Sequence, residues 1–295
     1  MKSNGCVGCH QLGNKATRTF PAAFEEMDFE SSEAAWIRRI SSGQAGMRMM
    51  RPINALQGIP IRYLADWTDR IAAGELPAEE PERPAGEERN IVATIRDWMA
   101  QPYHYVHDLS GTDRRDPTVN GYGPLYGAPE LSTDQFPILD PVNNTSTTFD
   151  APVRDPDTPS TAEDPVTLPS AYWGDQVIWD SKANAHNPML DERGRVWYTA
   201  RIRGRDNPAF CKEGSDHPSA KLFPTSTSGR QLAVYEPDTG EYTFVDTCYG
   251  THHLQFDDNG RLWLSGDSFV IGWFDPTPGA TAGLGEGAAA GPASS

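Results

Sequence analysis

The 295-residue chain has no apolar run near the roughly 20 residues that a membrane-spanning helix needs, so nothing in it reads as a membrane span. It has no Gly-x-Ser-x-Gly, so serine hydrolysis of the nucleophile-elbow kind has no motif to stand on. Positive charge is in short supply. Lys and Arg number 25 against 41 Asp and Glu, for a net charge of −16. That balance argues against nucleic acid or an anionic membrane as a partner. Cysteine is scarce, with four in all. No leader precedes the first motif, because Met1-Lys2-Ser3-Asn4 runs straight into it. The chain therefore reads as truncated at its start.

Polar and turn-forming residues are plentiful. The mean hydropathy is −0.58. The 27 Gly and 25 Pro argue against an all-helical fold. The negative charge is uneven. Residues 1–75 hold nine basic and eight acidic side chains, while the remainder holds sixteen and thirty-three. The length allows two domains at about 150 residues each.

The first motif is Cys6-Val7-Gly8-Cys9-His10, a C-x-x-C-H. Two thiols three residues apart can each bond one vinyl group of a porphyrin, and the adjacent His then faces the iron. Zinc would need two more ligands nearby, and the next cysteine is Cys211. The reading is covalent haem c. Ser31–Ile40 follows as a capped amphipathic helix, with Trp36, Ile37 and Ile40 on one stripe. A methionine loop, Gly46 to Pro52, precedes a last helix, Ile59 to Ala73. In c-type cytochromes a proline commonly follows the distal methionine, so a resemblance to that family implies Met50, before Arg51-Pro52, as the distal iron ligand, with Met47 and Met49 as alternatives.

These residues resemble a small class I c-type cytochrome. The resemblance implies an all-α haem domain over residues 1–75, one-electron transfer, a redox partner protein, and maturation in a periplasmic or secreted location. Residues 76–170 read as a Pro/Glu linker and then a turn-rich belt. His104 and His107 stand three apart within it. They read as loop histidines among aromatics, with a metal clasp or a second haem ligand as the alternatives.

Residues 171–277 contain a repeat. His186 to Thr199 and His252 to Ser265 align 66 residues apart, matching His186 with His252, Gly194 with Gly260, Arg195 with Arg261 and Trp197 with Trp263. Each copy reads strand, Asp-x-x-Gly-Arg turn, strand with a Trp. Gln231 to Val245 supplies a further hairpin. The motif resembles the virginiamycin B lyase-like (streptogramin lyase-like) β-propellers, and a haem motif ahead of it resembles a family of large bacterial secreted proteins.

The expected fold class is therefore multidomain α + β: an all-α cytochrome domain followed by a partial all-β propeller of about two blades. A Gly/Ala-rich tail, expected to be disordered, covers 278–295. The propeller resemblance implies a histidine base and a metal near a central channel, which makes His186, His252 and His253 the catalytic candidates. Cys211 and Cys248 are an even pair left for a disulfide. The expected function is electron transfer by the haem. The alternative is a propeller lyase or hydrolase with accessory haem, or a non-catalytic binding propeller.

Overall fold

The computed structural model describes residues 15–79, 82–90, 98–162, 165–265, 269–276 and 287–290. The haem motif at Cys6, Cys9 and His10 lies outside them. The chain forms two compact units. One comprises residues 1–96 with 164–178, the other 97–163 with 179–295.

Among the described residues the first unit holds four α-helices, α1 (Lys15–Arg18), α2 (Ser32–Ile40), α3 (Gly46–Ala55) and α4 (Ile59–Ala72). Ser31 caps α2, its hydroxyl accepting from the Ala34 N–H at 3.2 Å. Trp36, Ile40, Ile53, Ile61 and Ala65 form the core, with Met49 and Met50 packed against it. The Trp36 indole N–H donates to the Thr68 hydroxyl inside that core. Residues 165–178 complete the unit. Leu168 accepts the Gly43 N–H, and the buried Gln44 side chain accepts the Ile178 N–H.

The expected methionine loop is helical instead. Met47, Met49 and Met50 all lie on α3, as a Met- and Arg-rich run with no breaker before Pro52 favours. The α + β expectation is corrected here. The molecule is mostly β, its helices are short, and no all-α cytochrome domain is evident among the described residues.

The second unit contains three sheets among the described residues. The first runs β1 (Asp108–Leu109), β3 (Leu125–Ala128), β4 (Gln135–Asp140), β5 (Thr145–Asp150). The second runs β6 (His186–Leu190), β7 (Val196–Ala200), β8 (Gln231–Glu236), β9 (Glu241–Val245), with β2 (Gly111–Thr112) added parallel to β6. The third runs β10 (His253–Phe256), β11 (Leu262–Ser265), β12 (Val270–Phe274), β13 (Gly287–Ala290). A short helix, α5 (Pro218–Leu222), lies between β7 and β8.

Each sheet is built on a four-stranded antiparallel meander, the form of a propeller blade, with β2 as a fifth, parallel strand on the second. The middle sheet is buried on both faces. Leu190, Val196 and Tyr198 pack with Tyr126 and Phe136 of the first sheet. Met189, Trp197 and Leu232 pack with Leu254, Phe256 and Leu264 of the third. Residues 108–150, read as belt from their turns, are thus strands β1 to β5, four of them forming the first sheet. Its β4–β5 hairpin turns on Asp140, whose carboxylate accepts the N–H groups of Val142 and Asn143.

Candidate functional site

The innermost strands β1, β6 and β10 begin at one end of their sheets. The register is specific. Asp108 pairs with Ala128, His186 with Thr199, and His253 with Ser265. The residue before β1, His107, donates its N–H to the Ala128 carbonyl, as His252 does to Ser265 before β10. Equivalent positions in three sheets therefore carry His107-Asp108, His186 and His252-His253. Their rings are close. The His107 and His186 centroids are 4.4 Å apart, His186 and His252 4.6 Å, and His252 and His253 4.5 Å in a parallel stack.

Two carboxylates complete the cluster. Asp108 Oδ2 lies 2.9 Å from His107 Nδ1 and 3.3 Å from His186 Nδ1. Glu130 Oε1 lies 3.2 Å from His186 Nε2, and its Oε2 accepts the Tyr105 hydroxyl at 2.9 Å. Glu130 follows β3 at a left-handed φ of 46°, rare for a residue with a side chain.

His186 is only 3% exposed. Each of its ring nitrogens is within ion-pair distance of a carboxylate, yet neither meets hydrogen-bond geometry. Burying polar atoms this way is costly unless they are satisfied. A cation shared between ring and carboxylates would satisfy them. His107, Asp108 and His186 each offer a ligand atom, all within 4.8 Å of one another. Two imidazoles with carboxylates suit a divalent transition metal.

The electrostatics agree. Burial works to raise the Asp108 carboxyl, but the neighbouring His107 and His186 rings and the Asn187 N–H outweigh it and hold the group well below the usual range. Burial likewise works against Glu130, and His186 and His107 outweigh it, bringing the carboxyl down to about 2. Both acids are therefore anions at neutral pH, as metal ligands must be.

Sequence reasoning found His186, His252 and His253, and the structure brings all three to this end of the sheets. It missed Asp108, Glu130 and Tyr105. It read His107 as a loop histidine, whereas His104 packs on Tyr103 outside the cluster. The signal was register: a histidine directly before or at the start of each innermost strand. Met47, Met49 and Met50 lie on α3 of the helical unit. Cys211 and Cys248 form a disulfide with Cα atoms 5.1 Å apart, and His217 packs beside Cys248. Among the described residues no helix is long and apolar enough to cross a membrane.

No family model and no curated protein matches the chain. Among solved structures, a streptogramin B lyase is similar at 12% identity and a TM-score of 0.24, over 64% of this chain and 56% of that one. An extracellular domain assigned to a one component system of B. thetaiotaomicron is similar at 12% identity and a TM-score of 0.25, over 71% of this chain and 28% of that one. The chain thus spans just over half the length of the first and about a quarter of the second.

Proposed function

We propose that the β unit binds a divalent transition-metal ion through His107, Asp108 and His186, and uses it in lyase or hydrolase chemistry. One observation carries this: His186 is buried between two carboxylates with both ring nitrogens lacking a hydrogen bond. A bound ion would act as a Lewis acid on a substrate oxygen. Glu130, held by Tyr105, would orient His186 from the outer side. His252, ring to ring with His186 and half-buried, is the base best positioned to exchange a proton with substrate. The Cys211–Cys248 disulfide supports an oxidising, periplasmic or secreted setting.

The test is calorimetric titration of chelator-treated full-length protein with Zn²⁺, Mn²⁺ and Mg²⁺, beside His186→Ala. The expected result is a single site for at least one ion, lost in the variant. No binding by a folded protein, or equal binding by the variant, overturns the reading. If the ion binds but no lyase or hydrolase turnover follows, a binding module is the function.

The Cys6-Val7-Gly8-Cys9-His10 motif favours a second reading beside the first, covalent haem in the other unit. Haem would supply one-electron exchange with a redox partner protein. His10 would be the proximal ligand. Met50, half-buried on α3 against the apolar cluster, would be the thioether, with Met47 and Met49 as the other choices. Optical spectra of protein matured with haem-attachment machinery decide it. A covalent c-type spectrum that changes in Met50→Ala supports haem with that ligand, and absence of covalent haem removes the reading.

A further inference from the structure

Strand β6 departs from its repeat at one point. In β10 the register with the next strand is unbroken, from Phe256 opposite Leu262 to His253 opposite Ser265. In β6 it slips. Leu190 faces Val196 and Met189 faces Trp197, but His186 faces Thr199. Three residues on β6 are matched with two on β7, which is a β-bulge. An unbroken register, as in β10, would put Asn187 opposite Thr199. The bulge puts His186 there instead.

Asn187 sits in that bulge at φ 41°, the left-handed region. The following residue is Pro188, which pushes its predecessor toward extended backbone. A side-chain-bearing residue held there is strained, and such strain collects at functional sites. Asn187 also ties the three sheets together. Its N–H donates to Asp108 Oδ2 of the first sheet at 3.1 Å. Its side-chain Oδ1 accepts the Leu254 N–H of the third at 2.6 Å. Asp108 Oδ2 is the same oxygen that meets His107 and His186.

We infer that Asn187 is the positioning residue of the histidine–carboxylate cluster: its left-handed backbone makes the bulge that turns His186 inward, and its N–H and side chain lock Asp108 and β10 to it. The inference rests on the metal reading for its affinity measurement but not for its geometry. Asn is among the few side chains that visit the left-handed region readily, and Gly does so freely. Val resists it, and Ala resists it less.

The experiment compares full-length Asn187→Val, Asn187→Ala and Asn187→Gly with the parent. Two readouts are taken on each. One is Co²⁺ affinity with the visible spectrum of the bound ion. The other, made without metal, is the ¹⁵N imidazole signal of His186 in long-range correlation spectra. Loss of an outer-shell partner costs roughly 10–100-fold in metal affinity. The expected result is a fall in that range for Val, an altered Co²⁺ spectrum, and a displaced His186 signal. Gly, keeping the backbone but losing the Leu254 bond, should recover most of the affinity and the signal.

If Val does not fold, Ala carries the comparison with Gly. A fall in thermal stability with unchanged Co²⁺ spectrum and unchanged His186 signal would show a merely structural residue and overturn the inference. Failure of the parent to bind Co²⁺ would count against the metal reading alone. The metal-free signal would then decide Asn187, unchanged in Val overturning it and displaced in Val but recovered in Gly supporting it.

Discussion

At the scale of single residues, the repeat is written in one acid. Asp191 Oδ1 accepts the N–H groups of Arg193 and Arg195, and its Oδ2 takes the Arg195 guanidinium and the Trp197 indole N–H. Asp257 Oδ1 likewise accepts the N–H groups of Asn259 and Arg261, and its Oδ2 accepts the Trp263 indole N–H. Gly194 and Gly260 close both turns at φ 81°, where a Cβ would be strained. Asp191 is 3% exposed, so removing it leaves a half-buried Arg and a buried indole without their partner. Asp191→Ala is expected to cost about 3 kcal/mol, the range for breaking a buried pair. Asp257→Ala, on an exposed turn, should cost clearly less. Urea unfolding of both variants checks the order, and equal losses would refute it. This much was legible in the sequence, because Asp, Gly, Arg and Trp recur at fixed offsets. The site acids were not. Asp108 and Glu130 belong to a sheet whose inner connection carries no Asp-x-x-Gly-Arg turn. Glu130 also needs a left-handed backbone that no spacing announces.

At the scale of elements, two devices hold the strands. The first is the Cys211–Cys248 disulfide, which closes a separation of 37 residues across β8 and β9. A loop of that size restrains the unfolded chain by about 3–4 kcal/mol. Both cysteines are fully buried, so Ala suits each position. The double variant is expected to lose stability of that order in denaturant, and a loss near zero would mean the unfolded chain is already compact there.

The second device is a tyrosine layer between the first two sheets. Burial, with neighbouring phenols second, drives Tyr198 well above its usual value and Tyr126 up to about 12. Tyr242 is raised too, mainly by burial. These phenols keep their protons more tightly folded than unfolded. Their contribution is whole below the unfolded value of about 10 and is lost as pH rises through the folded values. In alkaline titration the last part of the tyrosinate absorbance should therefore rise together with loss of β-sheet ellipticity. Completion of the tyrosinate absorbance near pH 10, with the sheet intact, would contradict the layer. The β4–β5 hairpin itself had a readable pattern, yet the density of Asp-Pro and Asn turns around it favoured a belt. A sheet buried on one face by a neighbour far along the chain leaves only a short, weak alternation in its own sequence.

At the scale of the whole molecule, the two units should answer metal differently. The helical unit holds a small core around Trp36 and Ile53. The β unit holds the histidine–carboxylate cluster and both larger cores. An ion that binds only the folded site stabilises by mass action, about 2.7 kcal/mol at a free concentration 100 times the dissociation constant. For a unit of this size that is worth several degrees. Heating followed by the near-ultraviolet signal of the sheet tryptophans and tyrosines should move upward with added Zn²⁺ or Mn²⁺ and return on chelation. The ¹⁹F signal of Trp36 in fluorotryptophan-labelled protein, assigned by its loss in Trp36→Phe, should report an unchanged midpoint, because the ion has no ligands there among the described residues. His186→Ala should abolish the first shift and leave the second readout unchanged. A shift of both together would mean that the two units melt as one. A shift of neither, in protein that remains folded and metal-free before titration, would overturn the metal reading of the carboxylates around His186.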